Sequence, residues 1–170
     1  MRVLLITGLA GSGKTTLARR LARRYNTQLL SKDDIKEALL DVLGAGDAAH
    51  SRLLSTASFA VLFAIARRHL AAGVDLILEG NFRPGEHEKL LMAVPGLHIV
   101  QVLCRVDEAA RLARLARRER HAGHGDTAAA VRADRTSDAF LQLPSERLTL
   151  DGETTDSASI ALIDRSWLGA

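Results

Sequence analysis

Gly8-Leu9-Ala10-Gly11-Ser12-Gly13-Lys14-Thr15, set directly behind the apolar run Val3-Leu4-Leu5-Ile6-Thr7, is the stretch that decides the fold. It matches G-x-x-x-x-G-K-[ST], and it lies where that pattern must lie, between a buried strand and an amphipathic helix. Gly8, Gly11 and Gly13 let the backbone curl so that successive N–H groups converge on phosphate oxygens. The first turn of the following helix adds unsatisfied donors and the positive end of its dipole. Lys14 supplies a mobile cation for the β- and γ-phosphates, and the Thr15 hydroxyl is the expected magnesium ligand. The nucleotide cradle is therefore expected to comprise residues 8–15 (Leu9, Ala10 and Ser12 included) together with Thr16. The implied cofactors are ATP and Mg2+.

Working outward, residues 74–79 and 97–104 repeat the character of residues 3–7, short apolar runs ending in polar or glycine residues. Shorter strand candidates are 27–30 and 148–150. Between them lie helical patterns at 14–25, 33–43, 52–72, 86–93, 107–119, 127–139 and 157–168. Asp107 and Asp156 stand where an N-cap or first-turn acid is favoured. Apolar strands alternating with helices predict a parallel sheet covered on both faces, a three-layer α/β arrangement. The expectation is one domain over 1–170: the loop-like stretches 44–47 and 121–126 are short for interdomain linkers.

The composition narrows the partners. With 47% hydrophobic and 25% charged residues the 170-residue chain has the profile of a soluble globular protein. No apolar run approaches the roughly 20 residues of a membrane span. The net charge of +3 leans weakly towards anionic partners. A single cysteine, Cys104, in an apolar run points to a reducing cytoplasm.

Two further segments carry candidate chemistry. Ser31-Lys32-Asp33-Asp34-Ile35-Lys36 follows the second expected strand, and in a doubly wound sheet ligands gather outside the carboxyl ends of strands. A carboxylate there can orient an acceptor hydroxyl and take its proton. Asp33 is the first candidate, Asp34 the second, and capping of the next helix is the structural alternative for either. Glu79 ends the 74–79 run, where an acid is costly unless paired or near a metal. It suits a water-bridged magnesium carboxylate. Arg83, four residues on, is placed to reach the acceptor or the transferring phosphoryl.

Arg105, Arg111, Arg114, Arg117, Arg118 and Arg120 crowd the segment after residue 104. As helix, Arg111, Arg114 and Arg118 share a face at spacings of three and four. Guanidinium groups suit charge spreading over equatorial phosphoryl oxygens, so Arg114 and Arg118 are the expected triphosphate contacts of a lid spanning about 107–139. A solvated basic face is the plainer alternative. His121 and His124 lack the companion cysteine or His-Glu-x-x-His pattern of a zinc site.

Together the phosphate loop, Ser31-Lys32-Asp33-Asp34-Ile35-Lys36 and Leu78-Glu79-Gly80-Asn81-Phe82-Arg83 resemble the small P-loop kinases labelled AAA-family ATPases, a group that includes polynucleotide 5′-hydroxyl kinase, chloramphenicol phosphotransferase and zeta-type toxins. The resemblance implies a P-loop fold with five parallel strands in the order 2-3-1-4-5 and an arginine-rich helical lid. It implies Asp33 as base, from the first Asp of an Arg-Asp-Asp run, with Lys32 in place of the leading Arg and Lys36 as the basic residue three further on. Glu79 and Arg83 are similar to the acid and arginine of Asp-Gly-Phe-Pro-Arg in adenylate kinases and of Glu-Gly-Thr-x-Arg in the toxins. Residues 118–124 resemble the Arg-x-Gly-His stretch of gluconate kinases. Gly80-Asn81-Phe82 departs from each named member. A lid arginine and residues 151–155 are implied to read the adenine.

The expected activity is transfer of the γ-phosphate of Mg·ATP to a hydroxyl of a small molecule. A polynucleotide 5′-hydroxyl kinase, and a nucleotide-binding regulator or slow ATPase, are the alternatives. With aromatic residues at 4%, base-stacking platforms are scarce. No Asn-Lys-x-Asp guanine-reading motif is present. The 41–58 region is the expected wall of the acceptor pocket.

Overall fold

The computed structural model describes residues 1–92, 94–117, 137–152 and 156–169. Five parallel strands form one sheet in the order β2-β3-β1-β4-β5. They are β1 (Arg2–Gly8), β2 (Gln28–Ser31), β3 (Leu76–Glu79), β4 (His98–Arg105) and β5 (Glu146–Asp151). Strand β1 is central, pairing with β3 from Val3↔Leu76 to Ile6↔Glu79 and with β4 from Arg2↔His98 to Gly8↔Cys104. That register brings Gly8, Glu79 and Ser31 to the same carboxyl edge. The three-layer P-loop arrangement with this strand order is the one anticipated.

Strand alternation divides the core in two. Leu4 and Ile6 face α1 (Lys14–Tyr25) and α6 (Ser157–Leu168), where Leu17, Leu21, Ile160, Ile163 and Trp167 meet them. Val3 and Leu5 face the other way, onto Leu62, Phe63, Ala66 and Leu70 of α3 (Ala48–Ala71). Helix α2 (Lys32–Leu43) packs beside α3, the five-residue α4 (Glu88–Met92) closes the same side, and α5 (Glu108–Arg117) follows β4. Each buried large aliphatic contributes about 1.5–3 kcal/mol from the surface it removes from water.

Helix starts follow their side chains. Asp47, Asp107 and Asp156 accept from His50, Ala110 and Ser159 N–H at 2.8, 2.9 and 2.6 Å. Asp47 thereby begins α3 four residues before the expected start at residue 52. Strand β5 extends beyond the expected 148–150 because only Leu148 and Leu150 face the core while Glu146, Arg147, Thr149 and Asp151 are exposed along a sheet edge. Of the expected 127–139 helix only residues 137–139 are described, and they form turn and bend rather than helix.

Helix α3 meets the length and hydropathy of a membrane span, with an 18-residue window at mean hydropathy 1.3. Its buried stripe, from Ser51 and Leu54 to Ala66 and Leu70, lies against the sheet and α2, and 28% of that window is buried. Gln101, buried within β4, donates to the Leu141 carbonyl at 3.0 Å and accepts from Leu141 N–H at 2.8 Å. This amide imitates a strand partner and fastens residues 137–145 across the sheet face.

Candidate active site at the phosphate loop

Between β1 and α1 the chain takes a path that glycine alone permits. Gly8, Gly11 and Gly13 have φ of 145°, 87° and 90°. A Cβ on Gly8 would lie 2.4 Å from the Cys104 carbonyl oxygen, and one on Gly11 would lie 3.0 Å from the Arg111 carbonyl oxygen. The loop is therefore pressed against β4 and α5 by backbone contacts that tolerate no side chain.

Helix α1 starts on Gly13 with no side-chain cap bond and no acid in its first turn, whereas Ser31, Asp47, Asp107 and Asp156 supply caps to α2, α3, α5 and α6. Among the described residues its first-turn N–H groups have no side-chain cap, and the dipole there favours an anion. Ser12 Oγ and Thr7 Oγ1, both buried, also find no hydrogen-bond partner among the described residues. A polyphosphate fits this donor set: it supplies acceptors to N–H groups and hydroxyls that the fold leaves unsatisfied.

Glu79 is the hub on the sheet side of the loop. It is 0% exposed, and it accepts from Ser31 Oγ at 2.7 Å and Thr15 Oγ1 at 3.2 Å, with Lys14 Nζ at 3.8 Å. Burial pushes its carboxyl above the usual range, the Lys14 ammonium pulls it back, the Asp33 charge pushes it up again, and the two hydroxyls lower it. Thr15 and Glu79, the two residues expected at a magnesium ion, are in direct contact. Among the described residues no group of three or more His, Cys, Asp and Glu side chains gathers as a metal site. A hard cation here would take Thr15, waters and phosphate oxygens, a donor set suited to Mg2+.

The acidic pair on α2 divides by face. Asp33 meets Lys32 Nζ at 3.3 Å, and its charge is felt at Glu79. Asp34 turns outward to Arg19 at 3.1 Å, with both side chains more than half exposed. Neither caps α2: Ser31 does, accepting from Asp34 N–H at 3.4 Å while donating to Glu79. Ser31 thus joins the candidate site through Glu79, a contact that sequence reasoning did not assign, although a serine at a strand-to-helix junction is an N-cap signal.

Lys32 and Lys36 are buried and reach α3, where Ser55 Oγ lies 3.3 Å from Lys32 Nζ and Ser51 Oγ lies 2.8 Å from Lys36 Nζ. Residues of the 41–58 region therefore stand beside the Asp33 segment. Arg83 is part-exposed in the loop after β3, with Glu86 3.9 Å from its guanidinium. Thr16 is exposed at the start of α1, and Ala10 is half-buried in the loop.

Arg114 is half-buried on α5. Arg118 lies outside the described residues, as do His121, His124 and most of the expected lid. Arg111 has a different task from its neighbours. It is 1% exposed, pairs with Glu108 through two 2.9 Å contacts, and donates to the Ala10 carbonyl at 3.3 Å. It braces the loop from behind. Ser137 Oγ adds a second brace, donating to the Gly8 carbonyl at 3.3 Å. A cavity of about 200 Å³ lies between these braces and the end of β4, lined by Leu9, Ser12, Cys104, Arg105, Arg111 and Asp138 among others. The buried Cys104 thiol is pushed up to about 12 by desolvation, which leaves it unreactive.

A family model described as an AAA domain matches residues 3–151, from the first strand to the last. The chain belongs to the AAA domain family. One solved structure of similar shape, described as a "putative kinase" from Chloroflexus aurantiacus, is 28% identical, with a TM-score of 0.86 over 99% of this chain and 96% of that one. A sugar kinase from Janibacter sp. shares the fold at 17% identity and TM-score 0.69, over 99% of this chain and 95% of that one. A gluconokinase from Sinorhizobium meliloti does so at 16% and 0.57, over 99% and 89%. Among curated proteins, an uncharacterized protein of Mycobacterium tuberculosis is 33% identical over 89 residues, which is 48% of this chain and 18% of that relative. This AAA domain chain thus matches less than a fifth of the length of the curated relatives it resembles.

Proposed function

We propose that this AAA domain protein is a P-loop phosphotransferase that moves the γ-phosphate of Mg·ATP to a hydroxyl of a small-molecule acceptor. One observation carries the reading: an uncapped, glycine-built anion cradle with Lys14 and Thr15 held against a fully buried Glu79. Asp33 stands on the adjoining helix and is felt electrostatically at the same carboxylate.

In this reading the loop N–H groups and Lys14 bind the β- and γ-phosphates of the nucleotide substrate. Thr15, and Glu79 through water, would hold Mg2+, which supplies charge neutralisation across the phosphates. Asp33 accepts the proton of the acceptor hydroxyl. Lys32, held between Asp33 and Ser55, orients that carboxylate. Arg83, Arg114 and Arg118 stabilise charge that spreads over the transferring phosphoryl group. Residues 1–170 act as one kinase domain in the cytoplasm, with about 107–139 serving as its lid.

A small acceptor is favoured over a nucleic-acid end by the burial of Lys32 and Lys36. Both are committed to α3 serines rather than forming an open basic track. The kinase names of the solved neighbours support sugars and sugar acids as the first class to try.

The test is an ATP-consumption screen over sugars, sugar acids, antibiotics and 5′-hydroxyl oligonucleotides, run beside Lys14→Ala. Acceptor-dependent ADP release in the parent chain, lost in Lys14→Ala, is expected with a small hydroxylated compound. Stimulation by oligonucleotides alone would move the assignment to polynucleotide 5′-hydroxyl kinase. Acceptor-independent turnover throughout would make the protein a slow ATPase.

A further inference from the structure

The proposed site depends on where Arg83 is held, and Arg83 sits in a loop rather than on a strand or long helix. Its backbone N–H donates to Nδ1 of His87 at 2.9 Å. A ring nitrogen that accepts is unprotonated, so the neutral imidazole carries its hydrogen on Nε2. Burial pushes this imidazole below its ordinary value, which keeps it neutral.

The ring itself is packed from several sides. Its centroid lies 4.1 Å from that of Phe59 and 5.9 Å from that of Phe63, and Phe82 meets it edge-on at 6.0 Å. Phe59 in turn lies 5.8 Å below the Lys32 ammonium. Gly80 allows this closeness, since a Cβ there would lie 3.2 Å from Lys32 Cβ and 3.5 Å from Phe59 Cε1. One aromatic block thus joins the Arg83 loop, α3 and the residue that precedes Asp33.

We infer that His87 is a positioning residue for phosphoryl transfer: its Nδ1 and its packing against Phe59 set the backbone from which Arg83 is presented to the transferring phosphoryl. This rests on the phosphotransferase reading above. A purely structural His87 would steady the fold without distinguishing a transition-state mimic from a product. A positioning one must distinguish them, because small displacements of a catalytic group cost far more in the transition state than in the ground state.

The experiment uses the full chain with Mg·ADP alone and with Mg·ADP plus aluminium fluoride, a mimic of the transferring phosphoryl. Affinities for the parent, Arg83→Ala, His87→Leu and His87→Asn are measured by calorimetry. The Asn amide oxygen stands near the place of Nδ1 and can accept the same N–H. Arg83→Ala and His87→Leu should each weaken the fluoride complex about tenfold or more, with Mg·ADP nearly unchanged. His87→Asn should restore most of the loss, and the double substitution should cost no more than Arg83→Ala. Histidine ¹⁵N spectra of the parent chain should show His87 as the Nε2–H tautomer, a readout that stands even where His87→Leu fails to fold.

A protonated Nδ1, or a His87→Leu protein that binds the mimic like the parent while Arg83→Ala does not, would overturn the inference alone. Arg83→Ala binding the mimic like the parent would overturn it together with the assigned role of Arg83. Absence of Mg·ADP binding in the parent would remove the phosphotransferase reading, and this inference with it.

Discussion

The Arg111 guanidinium, 1% exposed, donates to the Ala10 carbonyl at 3.3 Å across 101 residues of sequence. An arginine from the segment expected to touch nucleotide is instead part of the wall that shapes the phosphate loop. Arg111→Met keeps the aliphatic stem but removes the charged donors, so it should cost about 1.5–3 kcal/mol in urea unfolding. Mg·ATP affinity should fall as well, because the loop loses its brace. An Arg111→Met protein as stable as the parent would show the contact to be idle.

Asp33 and Asp34 give a paired test of the base. Asp33→Asn should leave Mg·ATP affinity within a few-fold and lower transfer to the acceptor by roughly 10²–10⁴. Asp34→Asn removes only an exposed pair with Arg19 and should change turnover little. Steady-state kinetics with the acceptor found by screening decide the matter, and equal effects at the two positions would refute Asp33 as base.

Glu79→Gln keeps the shape of a side chain that Ser31 and Thr15 both address, while deleting its charge. The magnesium concentration for half-maximal activity should rise several-fold, with a smaller change in nucleotide affinity. A magnesium titration of activity at saturating nucleotide checks this. An unchanged magnesium requirement would take Glu79 away from the metal.

Asp164 joins α6 to α1, accepting from Arg24 at 2.6 and 2.8 Å and from Tyr25 Oη at 2.8 Å. The Arg24 hydrogen bond, helped by Tyr25, holds its carboxyl below the usual carboxylate range. A depressed folded value means that the folded state binds fewer protons than the unfolded chain. The contribution is therefore present above about pH 4 and lost as pH falls further. Asp164→Asn should lower Tm by about 2–4 °C at neutral pH and by less below pH 4. Thermal melts at pH 7 and at pH 3.5–4 measure the difference, and an equal drop at both would exclude the linkage.

Much was written locally. Each of β1, β3 and β4 is a nearly unbroken apolar run because it is covered on both faces, and such a run needs no partner to be read. The glycine spacing at positions 8, 11 and 13 demands one backbone path, and the loop takes it, so the fold and the loop's conformation were legible together. The Asp107 and Asp156 caps were equally local. By itself the sequence determined a parallel α/β sheet with a phosphate loop on its first strand. Only the tertiary structure decided which polar side chains face that loop. The charge of Asp33 is felt at Glu79, while α2, capped by Ser31, carries Asp34 out to Arg19. Ser31 reaches Glu79 because parallel β2 and β3 place them in register, 48 residues apart. By sequence Arg111 is one arginine of a lid face, and His87 is a position in the expected 86–93 helix with no assigned role. Their burial, and hence their roles, comes from elements packed against them from elsewhere in the chain, and a buried donor or acceptor must find its partner wherever the fold supplies one.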